Sequence, residues 1–122
     1  VIRALKAGHV VCLLCDRNVS DGGGLEVEFF GEKTTLPGGP ATLAMRTGAP
    51  LLPAAVYFTD RRGGHLGLVR PPISANRTGS FRTDVQRITQ ALACELEQLI
   101  RREPTQWHLL QPNWPSDYEN IV

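Results

Sequence analysis

The strongest pattern in the chain is a step of four and three residues between apolar positions, at Phe81, Val85, Ile88, Leu92, Leu96 and Leu99. That spacing places all six on one stripe of an α-helix. It predicts a helix over Phe81–Arg102, with Ser80 as N-cap, Glu97 and Arg101 paired one turn apart, and Glu103-Pro104 as its end. A helix with one apolar stripe is built to cover a sheet face. Residues 25–30 show a different period: Leu25, Val27 and Phe29 alternate with Glu26, Glu28 and Phe30, the pattern of a half-exposed strand. Residues 10–15 (Val-Val-Cys-Leu-Leu-Cys) do not alternate at all. Continuous apolarity over that length reads as a strand buried on both faces, as parallel strands are.

The elements between these three follow from turn chemistry. Residues 2–8 end a helix, with Ile2 and Leu5 on one face and Gly8 as its stop. Gly31-Glu32-Lys33 closes the alternating strand. Gly38-Gly39 lead into Pro40, a good first helical residue, and that helix runs to Thr47 and Gly48. Residues 50–58 form a strand with the β-prone end Val56-Tyr57-Phe58; residues 60–64 turn the chain, and residues 65–69 return as its partner. Trp107, Leu109, Leu110 and Trp114 form an aromatic and apolar tail suited to docking on the domain. Helix, glycine and strand in that order make half of an α/β unit, so the predicted class is α/β.

Composition narrows the function classes. A chain of 122 residues is about one domain, and 42% apolar with 20% charged residues is ordinary for a globular one. The net charge of +1 argues against general nucleic-acid binding. The charges are segregated, however. Residues 16–32 hold five acids and one Arg, and residues 61–87 hold six Arg and one acid, Asp84. The Arg-rich part is either a solvated face or a surface for lipid head groups or phosphates. No apolar run approaches the ~20 residues that span a bilayer, so membrane contact within this sequence would be peripheral. Cys12 and Cys15 match C-x-x-C, but in a strand their Cα atoms would lie about 10 Å apart on opposite faces. Both are expected to pack as core thiols, in a reducing compartment. His9, His65, His108 and Cys94 show no metal-ligand spacing, so no metal is expected.

Three places carry candidate chemistry. Asp16-Arg17-Asn18 falls just past the apolar strand, where α/β sheets collect their ligands, although Asp16 also suits a turn. Arg17 could hold a phosphate or simply pair with Asp21. Residues 19–24, with three consecutive Gly, read as a mobile loop and a candidate lid; no Gly-Lys-Ser/Thr follows, so it is no phosphate loop. Gly38-Gly39 at a helix start offer free N–H groups to an anion.

These pieces occur in a recognisable order. The apolar strand ending in Asp16 is followed by Val27-x-Phe29-Phe30-Gly31, Pro37-x-Gly39-Pro40-Ala41, Thr47-Gly48-Ala49-Pro50-Leu51-Leu52-Pro53 and Glu103-Pro104-x-x-Trp107. The set resembles the lipid A biosynthesis acyltransferase family. The ending Trp107-His108-Leu109-Leu110-Gln111-Pro112-x-Trp114 is closer to its actinobacterial branch, the phosphatidylinositol mannoside acyltransferases. The resemblance implies a glycerolipid-acyltransferase-like α/β sandwich with a mixed, mostly parallel sheet and covering helices, working peripherally at the cytoplasmic face of the plasma membrane. It implies transfer of a fatty acyl group from acyl-CoA or an acyl carrier protein to a glycolipid hydroxyl, with no cofactor and no nucleic acid. The family uses the His of an H-x4-D/E motif as general base. Here the residues five beyond His9, His65 and His108 are Leu14, Arg70 and Asn113, so none fits. Residues 1–122 are therefore expected to be the C-terminal portion of one acyltransferase domain, the motif lying N-terminal to them. Within that portion Glu32 resembles the acid brought up to the catalytic His. Asp16, Arg17, Phe29, Phe30, Gly38 and Gly39 are the candidate substrate-binding residues, Arg17 for a phosphate or the thioester oxygen and the two Phe for an acyl groove. The competing reading is a non-catalytic module that binds anionic lipid or phosphate through Gly38-Gly39-Pro40 and the Arg-rich segment.

Overall fold

The computed structural model describes residues 1–19 and 22–119. In chain order the elements are α1 (Ile2–Lys6), β1 (Gly24–Phe29), β2 (Glu32–Pro37), α2 (Gly39–Thr47), β3 (Ala54–Phe58), β4 (His65–Val69), α3 (Phe81–Arg102), a 3-10 turn (Pro104–Gln106) and α4 (Pro115–Glu119). The fold is mixed α/β. It is assembled on α3, whose buried stripe includes Val85, Ile88, Leu92, Leu96 and Leu99. Each such aliphatic side chain taken from water contributes about 1.5–3 kcal/mol, so this one helix anchors the core. Its start is fixed as its sequence indicates, with Ser80 Oγ accepting the Thr83 N–H at 3.2 Å. The Glu97–Arg101 pair closes at 3.7 Å.

Beside Ser80, Asp84 is fully buried in the first turn of α3. Its carboxylate accepts the Thr78 hydroxyl at 2.7 Å and the Thr78 and Gly79 N–H groups at 3.1 and 3.2 Å. Arg77 and Arg87 lie 3.4 and 3.5 Å away. The Thr78 hydroxyl above all, with the two N–H groups and Arg87, outweighs burial and holds the carboxyl down at about 2. The loop before α3 is therefore tied to the helix by one buried anion. This also consumes part of the Arg-rich segment: Arg77 and Arg87 serve Asp84, and Arg70 pairs with Glu95.

The sheet is where the structure departs from the expected architecture. Both described sheets are two-stranded and antiparallel: β1 pairs with β2, and β3 with β4. Among the described residues there is no parallel ladder. The strand β2 was not separated from its turn by the sequence pattern. Its alternation (Thr34 and Leu36 buried, Lys33 exposed) becomes visible once Phe30-Gly31 is taken as a two-residue hairpin loop. Both loop residues have positive φ, 53° and 79°, as a type I′ turn requires. Gly31 adopts this freely, whereas a bulky Phe at positive φ is an outlier costing roughly 1–3 kcal/mol.

Residues 10–15 correct a second expectation. They form no strand, and Val10 and Leu14 are 90% and 84% exposed. A strand buried on both faces needs neighbours on both edges, and among the described residues this segment has none. Its cysteines separate accordingly. Cys12 is exposed, contrary to its expected core role, while Cys15 packs against the main cluster with Val27, Phe29, Leu92 and Leu96. No helix in the described residues is long and apolar enough to cross a membrane.

Candidate functional site

The two hairpins treat their outer edges differently. In β1, Glu28 N–H donates to Gln90 Oε1 at 2.8 Å and Glu28 O accepts from Gln90 Nε2 at 2.9 Å. Gln86 bonds Glu26 O, and Glu97 Oε1 accepts the Phe30 N–H at 2.8 Å. Side chains of α3 thus cap that edge at Glu26 O, at both groups of Glu28 and at Phe30 N–H, and help to hold Phe30 in its strained conformation. The Phe30 ring is held as well, by Phe29 at 4.7 Å, Trp107 at 6.0 Å, Trp114 at 6.1 Å and the Arg101 guanidinium at 5.3 Å. The tail beyond α3 therefore docks through its two Trp residues, while Leu110 stays 84% exposed.

The tail also organises the turn around Asp16. Trp107 Nε1 donates to Asp16 Oδ2 at 2.7 Å. Asn113, fully buried, is the hub: its Nδ2 donates to Asp16 O at 3.2 Å, its Oδ1 accepts the Asn18 N–H at 2.5 Å, and its carbonyl accepts the Thr34 hydroxyl. Asp117 in turn accepts the N–H groups of Asn113 and Trp114 at 2.8 and 3.0 Å. Those two bonds hold its carboxyl below the ordinary carboxylate range. The sequence reading missed Asn113. Its only local signal is its place between Pro112 and Trp114-Pro115, where neighbouring rings restrict the backbone.

Asp16 and Arg17 line a groove of about 340 Å³. It is lined by residues 13–17, residues 54–57 of β3, Leu96, Leu99 and Ile100 of α3, and Glu103, Gln106, Trp107 and His108 beyond it. Its lining mixes apolar side chains of β3 and α3 with Asp16, Arg17, Glu103, Gln106 and His108. Arg17 Nη2 donates to His108 O at 3.2 Å, and its Nε is buried with no partner among the described residues. A pairing with Asp21, and the centre of the 19–24 loop, lie outside the described residues. Cys15, in the same wall, is no nucleophile: burial, then the Asp16 charge, push its thiol up to about 11.

The other candidates sit elsewhere. Glu32, half-buried at the start of β2, accepts the Ser116 N–H at 3.1 Å on Oε1 and the Ser116 hydroxyl at 2.8 Å on Oε2. Both oxygens are thereby fixed in direction at the start of α4. Phe29 is fully buried and touches Phe30, Trp107 and Trp114, so it supports the hairpin from within. Gly38 is buried beside Leu25, whose Cδ1 a Cβ there would meet at 2.9 Å; Gly39 is exposed beside a shallow cleft between α1 and α2. The candidates thus fall into three groups, of which only Asp16 and Arg17 face the groove. Among the described residues no cluster of three or more His, Cys, Asp or Glu could hold a metal.

The family described as bacterial lipid A biosynthesis acyltransferase matches residues 1–116. The chain belongs to that family. Two phosphatidylinositol mannoside acyltransferases are similar to it along most of its length. The one from Mycobacterium tuberculosis is 43% identical over 113 residues, 93% of this chain and 33% of the relative. The one from Mycolicibacterium smegmatis is 40% identical over 113 residues, 93% of this chain and 34% of the relative. The chain thus spans about a third of the curated relatives it matches. The matched family region takes in the Asp16 turn, the Phe30-Gly31 hairpin, Glu32, the Gly38-Gly39 helix start and the Trp107–Trp114 tail, so all three groups of candidates belong to the acyltransferase region.

Proposed function

We propose that this chain is the C-terminal portion of a membrane-peripheral O-acyltransferase acting on a mannosylated phosphoinositide or a related glycolipid, with acyl-CoA or an acyl carrier protein as donor. The observation that carries the reading is the 40–43% identity, over 93% of the chain, to proteins named for acylation of phosphatidylinositol mannoside. In the reaction a general base takes the proton of the acceptor hydroxyl, and the oxygen attacks the thioester carbonyl. The tetrahedral oxyanion collapses to an ester, and the carbon–sulfur bond breaks with the proton passing to the thiolate. The base is the His of the family's H-x4-D/E motif, N-terminal to the residues of this chain. Glu32 orients that His and stabilises its imidazolium, its own carboxylate aimed by Ser116. Arg17, which lines the groove and has a buried Nε with no partner among the described residues, is suited to an anionic or carbonyl oxygen of a substrate.

The test is transfer of a labelled acyl group from acyl-CoA to phosphatidylinositol mannoside by the full-length enzyme, wild type and Glu32→Gln. The variant is expected to lower kcat by about 10²-fold with little change in KM and to move the acidic limb of the pH profile, with partial rescue by Glu32→Asp. Absence of transfer by the wild type, or an unchanged kcat and pH profile in Glu32→Gln, would overturn the reading. A purely lipid-binding module is less well supported, because Arg70, Arg77 and Arg87 are already committed to carboxylates of α3.

A further inference from the structure

Arg17 is a long side chain on a turn, and such a group serves a reaction only when its backbone is held still. The turn's own backbone gives no such hold: among the described residues Asp16 O and Asn18 N–H have no backbone partner. One side chain holds both. Asn113 Nδ2 donates to Asp16 O at 3.2 Å, and Asn113 Oδ1 accepts the Asn18 N–H at 2.5 Å. The first group belongs to the peptide before Arg17 and the second to the peptide after it. Each peptide is planar, so a single amide orients both planes that flank the Arg17 Cα. His108 O steers the side chain further by accepting from Arg17 Nη2 at 3.2 Å, and Trp107 Nε1 holds the adjoining Asp16 carboxylate at 2.7 Å. Asn18 is tied to β2, its Oδ1 accepting the Thr35 hydroxyl at 2.6 Å. The donor left free is Arg17 Nε, buried and without a partner among the described residues.

Asn113 is itself fixed from the strand that carries Glu32. Its carbonyl accepts the Thr34 hydroxyl. Thr34 and Glu32 are two positions apart on one face of β2, about 7 Å along an extended chain. Ser116, in the same stretch as Asn113, donates to both carboxylate oxygens of Glu32. Asp117 joins the ends of that stretch by accepting the Asn113 and Trp114 N–H groups. Residues 113–117 therefore hold the Arg17 turn at one end and Glu32 at the other. We infer that Asn113 is a positioning residue, which holds Arg17 in register with the Glu32 carboxylate so that a substrate oxygen bound at Arg17 Nε meets the base that Glu32 orients. A side chain that merely filled this buried site could be apolar, because burying an amide is unfavourable unless its groups are bonded. Here both groups of the amide are used, one on either side of Arg17. The inference rests on the roles proposed above for Arg17 and Glu32.

The full-length acyltransferase that carries this chain tests it with two readouts. The first is labelled acyl transfer from acyl-CoA to phosphatidylinositol mannoside by Asn113→Ala, Arg17→Gln and the double variant. Each single change is expected to lower kcat/KM by about 10–100-fold. The double variant is expected to match Arg17→Gln to within about threefold, because Asn113 acts through Arg17. Losses that multiply would overturn the inference, as would an unchanged kcat/KM in Asn113→Ala. Should Asn113→Ala fail to fold, Thr34→Val carries the test, since it keeps the side-chain shape and removes the hydroxyl that fixes the Asn113 carbonyl. It is expected to lower kcat/KM by about 3–10-fold, with recovery in Thr34→Ser. Wild-type rates in Thr34→Val, or no recovery in Thr34→Ser, would sink the idea. The second readout needs no substrate: it is the NMR signal of the Arg17 Nε–H group, identified by its loss in Arg17→Gln. Its exchange with water is expected to be about 10-fold faster or more in Asn113→Ala or Thr34→Val than in wild type. Equal exchange would overturn the inference whatever the transfer assay shows. A wild-type enzyme that transfers no acyl group, with this acceleration still seen, would count against the proposed function and support the positioning of Arg17 by Asn113.

Discussion

The β1–β2 hairpin and the β3–β4 hairpin rest on the same helix, yet they are finished to different degrees. Phe29 in the first is fully buried, its neighbours' edge groups are capped by Gln86, Gln90 and Glu97, and Trp107 and Trp114 close over it. In the second, Tyr57 packs inward, with its hydroxyl donating to Leu99 O at 2.6 Å, but Val56 and Phe58 on the other face are 70% and 71% exposed. Their inward positions are comparably apolar, but outward the first carries Glu26, Glu28 and Lys33 where the second carries Val56 and Phe58. What separates them is whether the rest of this chain supplies a covering layer. For the first hairpin the tail does so. For the second, no described segment covers the outward face.

Three substitutions would break or sharpen that contrast. Phe29→Ala, in the finished half, should cost about 3–5 kcal/mol in denaturant unfolding of the chain, because the rings of Phe30, Trp107 and Trp114 lose their common neighbour. A smaller loss would mean that the Trp-capped hairpin collapses to fill the space. Asp84→Asn comes next and probes the anchor that both halves share. The folded carboxyl lies at about 2, below its ordinary value of 3.8. Its contribution is therefore fully present above pH ~4 and lost as pH falls towards 2. The variant should unfold at a lower temperature than wild type at pH 7, and the gap should narrow between about pH 4 and 2. A gap that is constant with pH would show that the Thr78 and Gly79 bonds do not depend on the charge. Val56→Thr, on the open face, should change the stability of the 122-residue chain by no more than about 0.5 kcal/mol. In the full-length enzyme the same change should be measurably worse, and equal effects in both would erase the contrast.

The local elements were legible because their signals are local. The stripe from Phe81 to Leu99, the Ser80 cap, the Glu97–Arg101 pair, the alternation of residues 25–29 and the turn at residues 60–64 all depend on near neighbours. The structure forms each of them. The order of short motifs was also enough to reach the family, since sequence order survives without coordinates.

The failures all required knowledge of distant partners. Residues 10–15 have the composition of a core strand, but a strand is defined by its neighbours' hydrogen bonds, and no strand among the described residues pairs with them. The same composition placed Cys12 in a core that does not reach it. Asn113 looks like an ordinary loop residue until folding sets it between Asp16, Asn18 and Thr34, 79 to 97 positions away in sequence. Glu32 read as an acid in a turn, and only the fold shows Ser116 fixing both of its oxygens. By itself, then, the sequence determined periodicities, caps, turns and kinship, which are encoded over a few residues or in their order. Tertiary structure alone decided which apolar faces are covered and which polar groups meet, because burial and long-range hydrogen bonds belong to pairs of segments and not to either one.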